Sequence, residues 1–96
     1  MQKVYDEINV FSKKKGNGLL RREIWTDELG KVVRYNLAYI NLNEFKKDNG
    51  RVLGYDNAHG YHHRHYYGKK ELVDFVSFEE VENLFEAEVN KIRGLR

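Results

Sequence analysis

Apolar and polar residues alternate along several stretches of the chain, which predicts β-strands. The three main stretches cover residues 19–25, 31–42 and 51–56, and a shorter one covers residues 72–76. Turn-forming residues at 26–30 and 48–50 separate the three main stretches. The first two strands are therefore expected to form a hairpin.

The second predicted strand indicates which face of the sheet meets the core. One of its faces is apolar throughout and carries Val33, Tyr35, Leu37 and Tyr39, while the other mixes polar with apolar residues. Gly54 lies inside the third strand, where a bulge or a close backbone approach is expected.

A helix is predicted to follow the last strand. Apolar residues recur at helical spacing over residues 78–92. Ser77 and Glu80 form a capping box at the start, and Gly94 is placed to end the helix. The fold class predicted is α+β, a single domain over residues 1–96 with a small antiparallel sheet of about four strands covered by the C-terminal helix.

Residues 1–18 are expected to form a flexible N-terminal arm, because a short apolar patch there is followed by the polar, glycine-bearing residues 12–18. The chain has no cysteine, which excludes disulfides and thiolate nucleophiles and favours a reducing compartment. No apolar stretch approaches the roughly 20 residues that span a bilayer. A cytoplasmic protein with no membrane partner is therefore expected.

Charge is unevenly distributed along the chain. Residues 1–70 hold 14 Lys or Arg and 8 Asp or Glu, whereas residues 71–96 hold 3 and 7. A basic region of this kind attracts polyanions such as RNA, although a solvated charged face is an equally good interpretation of composition alone.

The most informative local feature is a cluster of histidines. All four histidines of the chain lie within residues 59–65. Histidine exchanges protons near neutral pH, since its unperturbed pKa is about 6.5, and its neutral ring is also a common metal ligand. The cluster therefore indicates either proton transfer or metal binding.

The residues of this segment resemble a known family. Tyr-Asp-Asn-Ala-His at 55–59 and His-His-Arg-His at 62–65, followed by a Phe-Val-Ser-Phe-Glu-Glu helix start, closely resemble the TumE family of toxins in prokaryotic toxin–antitoxin systems. The resemblance covers roughly residues 19–93. It implies a growth-inhibiting protein made beside a cognate antitoxin, usually one with a helix-turn-helix DNA-binding domain, and a proposed action on RNA.

Metal-independent cleavage of RNA needs a base, an acid and cationic groups at the phosphate. The candidate catalytic residues are His59, His63, His65, Asp56 and Arg64. On an extended chain His63 and His65 project to one face and can supply the base, while His59 is expected to fold back from a loop as the acid. Asp56 would orient a ring and Arg64 would hold phosphate. Candidates for binding RNA are Asn57, Tyr61, His62, Tyr66, Tyr67, Lys69 and Lys70.

Several alternatives stay open at this point. His59, His62, His63 and His65 with Asp56 have enough ligand atoms for zinc, nickel or copper, although no second ligand pair exists elsewhere, and no cofactor is assigned. Some of these rings are otherwise merely packed or exposed. The protein is alternatively a non-catalytic module that binds RNA or a ribosomal surface, or a regulator of its own operon. The oligomeric state is open, and a homo-oligomer is one option.

Overall fold

The computed structural model describes residues 1–94, which form one antiparallel sheet and one α-helix. The strands are β1 (Gln2–Val10), β2 (Leu19–Thr26), β3 (Val32–Ile40), β4 (Arg51–Asp56), β5 (His63–Tyr66) and β6 (Lys69–Leu72), and the helix is α1 (Phe78–Ile92). The strands lie in the sheet in chain order, and each pairs antiparallel with the next. No helix within the described residues is long and apolar enough to cross a membrane.

The core lies between one face of the sheet and α1. The apolar side of β3 faces α1, as the alternation predicted, except that Val33 near the start of the strand is 39% exposed and lies outside the core. The fully or almost fully buried side chains of this layer are Tyr35, Leu37, Tyr39, Val52, Leu53, Tyr55, Val81, Phe85 and Val89. The opposite face of the sheet has no helix over it in residues 1–94 and is called the open face below.

The helix begins where the capping box predicted. The Glu80 backbone N–H donates to the Ser77 side-chain oxygen at 3.1 Å, which satisfies one of the amides left unpaired at a helix start. Acidic residues occupy the first turn and Lys91 the last, so the charges complement the helix dipole. The predicted α+β class and the helix over residues 78–92 are confirmed.

The sheet has six strands rather than about four. Residues 2–10, which were expected to belong to a flexible arm, form β1 and pair with β2. Every residue of β1 except Glu7 is exposed, and the pairing register shifts between Lys3 and Tyr5, so no regular apolar alternation marks the strand.

The histidine segment supplies the other missing strand. β5 and β6 are only four residues each, and they are joined by Tyr67 and Gly68, which both have positive φ. Two such residues are typical of a type I′ hairpin turn. The final strand predicted at residues 72–76 therefore lies earlier, at β6, and residues 73–77 run to α1 without regular structure.

Candidate active site on the open sheet face

Strand register brings the polar residues of β4 and β5 together on the open face. Asp56 pairs with His63, and Gly54 pairs with His65. Directly opposed residues of an antiparallel pair point to the same face, and so do residues two apart in a strand. Asp56, His63 and His65 therefore lie side by side, as the spacing of the two histidines predicted.

Asp56 and His65 form a hydrogen-bonded pair. The Nε2 atom of His65 lies 2.8 Å from Oδ2 of Asp56, and each side chain is only 12% exposed. The other carboxylate oxygen of Asp56 accepts the backbone N–H of Ala58 at 3.1 Å. The carboxylate is thus fixed from two sides and holds the ring in one orientation.

Arg51 donates a hydrogen bond to the second ring nitrogen of His65. Its Nη2 atom lies 3.1 Å from Nδ1 of His65. A guanidinium only donates, so Nδ1 is the unprotonated acceptor and Nε2 carries the hydrogen that it donates to Asp56. Burial, followed by the charge of Arg51, lowers the pKa of His65, so the neutral ring is the stable form near pH 7.

Gly54 allows Arg51 to reach this position. A Cβ atom at Gly54 would lie 2.7 Å from Cδ of Arg51, which is too close for two carbon atoms. The close approach expected at Gly54 is therefore made by a side chain rather than by backbone. Arg51 is also tied to Asp48, whose Oδ2 accepts from Nε at 2.9 Å, and it lies 3.7 Å from Oδ2 of Asp56.

His63 is the least engaged of the site groups. Its Nδ1 atom lies 3.9 Å from Oδ1 of Asp56, too far for a hydrogen bond, and its ring centroid lies 6.2 Å from that of His65. The ring of His63 is therefore without a hydrogen-bond partner among the described residues, although its side chain is only 11% exposed.

A cleft of about 830 Å³ opens beside this group. His65, Arg51, Phe45 and Tyr67 contribute to its wall, together with the four lysines Lys46, Lys47, Lys69 and Lys70. The four lysines are exposed, and within the described part of the chain none of them has an ion-pair partner within 4 Å. The cleft is thus a place where anions are attracted to the rim of the histidine pair.

Arg64 lies on the opposite face of the sheet, against α1. Its guanidinium pairs with Glu88 of the helix, with Nε to Oε2 at 3.0 Å, and with Glu71 at 2.9 Å. These partners raise its pKa further above the ordinary value. Arg64, which was predicted to hold phosphate, therefore holds α1 to the sheet and lies apart from Asp56, His63 and His65.

His62 belongs to an aromatic cluster rather than to the open face. Its ring stacks on Phe75 at 3.9 Å between centroids, and its Nδ1 atom lies 2.9 Å from the hydroxyl of Tyr35. Burial raises the pKa of Tyr35 to about 12 and lowers that of His62. The ring is thus packed, which was one of the open interpretations for the histidines.

The side chain of Asn57 is hydrogen-bonded to the backbone of β3. Its side-chain oxygen accepts the backbone N–H of Tyr35 at 2.9 Å, and its amide donates to the carbonyl of Val33 at 3.0 Å. The side chain therefore continues the bonding of β3 beyond the end of β4, which leaves little of it to bind RNA.

His59 does not join the other two rings. It has a φ of 64° in the short turn after β4, is exposed, and borders a separate cavity of about 340 Å³ with Arg34. Within residues 1–94 its ring makes no hydrogen bond or ring contact with His63 or His65. The structure thus gives no support to His59 as the complementary acid.

The tyrosines and lysines predicted to bind RNA are divided between the two faces. Tyr67, Lys69 and Lys70 border the cleft. Tyr61 is 63% exposed and its ring centroid lies 6.2 Å from that of His63. Tyr66 lies instead beside the Arg64 guanidinium, at 4.7 Å.

The sequence did not single out Arg51, Asp48, Lys46 or Lys47. The one signal that pointed to Arg51 was the glycine inside β4, which marks a close approach without identifying the approaching group. The contact of Arg51 with His65 spans 14 residues and depends on the register of two strands.

No group of three or more His, Cys, Asp or Glu side chains among the described residues is arranged to hold a metal ion. The physical reason is that the four histidines diverge. His62 is packed on Phe75 and His59 lies in its own turn, which leaves only His63, His65 and Asp56 near one another. Both nitrogens of His65 already have protein partners.

Fold and site together define a small α+β protein with a histidine–carboxylate pair beside a basic cleft. The family model described as Toxin TumE matches residues 8–96, and the chain belongs to this toxin family. No match was found among curated proteins or solved structures. The resemblance of the histidine segment is confirmed, and membership indicates a toxin with an antitoxin partner.

Proposed function

We propose that the protein inhibits growth by cleaving RNA on the open sheet face, without a metal ion. The observation that carries the proposal is the His65–Asp56 pair, with His63 beside it, at the wall of a lysine-lined cleft. This combination places proton-transfer groups next to a surface that attracts a polyanion.

His65 is the base in this scheme. Its Nδ1 atom takes the proton of the ribose 2′-hydroxyl, and the Asp56 carboxylate on Nε2 stabilises the imidazolium that forms. The 2′-oxygen then bonds to phosphorus while the bond from phosphorus to the 5′-oxygen breaks. His63 in its protonated form gives its proton to the departing 5′-oxygen. The products are a 2′,3′-cyclic phosphate and a 5′-hydroxyl, and exchange with water restores both rings.

The negative charge that develops on the phosphate requires cations that are already in place. Lys69, Lys70 and Arg51 border the cleft beside His65 and are proposed for this role. Tyr61, which is exposed beside His63, is proposed as a surface on which an unpaired base stacks. The partner antitoxin is proposed to carry a helix-turn-helix domain, which rests on the family resemblance alone.

A second function is favoured by one specific observation. Both ring nitrogens of His65 are occupied, so the described arrangement does not itself present a free base. The lysines of the cleft would still bind RNA in that state. Inhibition by occupying an RNA or ribosomal surface is therefore the alternative.

Alanine variants at His63 and His65 separate these functions. Each histidine supplies proton transfer worth roughly 10²- to 10⁴-fold in rate, so His63→Ala and His65→Ala are expected to lose cleavage of purified RNA by that factor. Their affinity for RNA is expected to stay within a few-fold of the original, because the lysines remain. Cleavage and affinity are measured on the same samples.

His59→Ala is the matched comparison, since it removes one histidine from the same segment but from a separate exposed turn. It is expected to retain cleavage. If the toxicity of all three variants follows RNA affinity and no variant or parent protein cleaves RNA, occupancy replaces catalysis.

A further inference from the structure

Arg51 stands between the histidine pair and the cleft. Its guanidinium contacts His65, Asp48 and Asp56, and the residue also borders the cleft. While Arg51 remains there, the lone pair on Nδ1 of His65 accepts its hydrogen bond and is not available to take a proton. The proposed function thus requires Arg51 to move, and the surroundings indicate what would move it.

We propose that the cleft is a phosphate-binding subsite for a nucleic-acid strand, and that a phosphate bound in it takes the Arg51 guanidinium from Nδ1 of His65. Arg51 is in this sense a positioning residue, because it controls whether Nδ1 of His65 is hydrogen-bonded to the guanidinium or free. The catalytic consequence rests on the proposed function, but the exchange of partners does not.

The balance of contacts favours the exchange. Arg51 gives His65 a single hydrogen bond to a neutral ring, and its Nη1 atom lies 3.7 Å from Asp56, beyond hydrogen-bonding distance. A guanidinium and a phosphate form paired, charge-assisted hydrogen bonds that are stronger. Asp48, the remaining partner, has a side chain that is 33% exposed and lies in the short turn before β4.

The four lysines of the cleft supply the attraction that brings the phosphate in. They are exposed, and none is neutralised by an ion pair among residues 1–94. Lys70 is the direct strand partner of His65, so a phosphate held by Lys70 is also near the ring. The cleft volume of about 830 Å³ is that of an ordinary ligand site.

The departure of Arg51 also changes the charge around His65. The groups that face the ring are Arg51 and Asp56 on β4, Asp48 before it, His63 on the same strand and Lys70 on β6. Arg51 opposes protonation and Asp56 favours it. Movement of Arg51 onto a phosphate therefore leaves the carboxylate as the nearest charge, and the ring becomes a better base in the presence of substrate.

The test follows the imidazole signal of His65 by NMR through a pH titration, with and without a short 2′-deoxy oligonucleotide. This probe has phosphates but no 2′-hydroxyl, so it cannot be cleaved by the proposed reaction. At saturation the titration midpoint of His65 is expected to rise by about one pH unit. A midpoint that does not change when the oligonucleotide is bound overturns the proposal.

Two variants displace Arg51 without a ligand. Arg51→Gln removes the charge, while Gly54→Ala keeps the charge and forces the flexible end of Arg51 aside. Both are expected to show the raised midpoint in the free protein and little further change with the oligonucleotide. Gly54→Ala keeps the proposal testable if Arg51→Gln folds poorly. If both variants fold and titrate like the parent, Arg51 does not control the ring.

The lysines are tested by the salt dependence of oligonucleotide binding. Changing Lys69 and Lys70 to Gln is expected to reduce the slope of log affinity against log salt by about 0.7 for each lysine that contacts a phosphate. Changing Lys13 and Lys14 to Gln makes the same change in net charge outside the cleft and is the control. Equal slopes for the two pairs would place the phosphates elsewhere.

The role of Arg51 and the catalytic function can be contradicted independently of each other. If the oligonucleotide raises the His65 midpoint but RNA is never cleaved, the subsite and the role of Arg51 stand and the catalytic function fails. If RNA cleavage depends on His63 and His65 but the titration midpoint of His65 does not respond to the bound oligonucleotide, only the role of Arg51 fails.

Discussion

At the scale of single residues, the site depends on which partner each ring nitrogen has. His65 has Asp56 on one nitrogen and Arg51 on the other, whereas His63 has no hydrogen-bond partner in residues 1–94. The two histidines could be assigned to one face from their spacing alone. The contact of Arg51 with His65 could not be predicted, because the two residues are 14 apart in the chain and their contact depends on strand register and on the absence of a side chain at Gly54.

His62 illustrates how residue type alone overstates function. Its ring is packed on Phe75 and bonded to Tyr35, and burial lowers its pKa. A lowered pKa means that the unfolded chain binds a proton more readily than the folded one. The free energy of unfolding should therefore decrease as the pH falls through the ordinary histidine pKa of about 6.5.

His62→Gln is expected to reduce this loss of stability between pH 7 and pH 5, because one of the two histidines with lowered pKa is removed. Thermal unfolding at a series of pH values measures it, with His59→Gln in the exposed turn as a comparison. A loss of stability in His62→Gln as steep as in the parent protein would contradict the packing of His62.

At the scale of secondary-structure elements, prediction succeeded where the apolar pattern was regular and failed where the pattern was irregular or only four residues long. β3 and α1 carry regular apolar faces, and their positions and the α+β class followed from the sequence. β1 is largely exposed with a register shift, and β5 and β6 have four residues each. The pairing of neighbouring strands, which local patterns do not contain, stabilises these three elements.

The packing of α1 against the sheet is tested by Phe85→Ala. Phe85 is fully buried and its ring packs edge-on against Tyr55 at 6.4 Å between centroids. Loss of such a side chain costs about 3–5 kcal/mol, which lowers the melting temperature of a domain this size by more than about 12 °C. Leu84, the neighbouring residue, is 42% exposed, so Leu84→Ala should lower the free energy of unfolding by about 1 kcal/mol or less. Equal losses measured by thermal unfolding would contradict the assignment of the core face.

At the scale of the whole molecule, the two sides of the sheet differ in charge. The His65–Asp56 pair lies on the side without the helix, and His65 borders the cleft that is lined by four lysines. The other side carries α1, with Glu79, Glu80 and Glu86 exposed. A net charge of only +2 is therefore compatible with the proposed binding of a polyanion, because the exposed lysines are concentrated at the cleft and the exposed glutamates on the helix.

The most direct test of the central claim is an analysis of RNA ends after incubation with the purified protein in excess chelator. Cleavage is expected to leave a 2′,3′-cyclic phosphate and a 5′-hydroxyl, to stop when the sugar before the cut lacks its 2′-hydroxyl, and to fall at least about 10²-fold in His65→Ala. Cleavage that disappears with chelator and returns with one metal ion would contradict the account, as would intact RNA in the presence of a folded toxin.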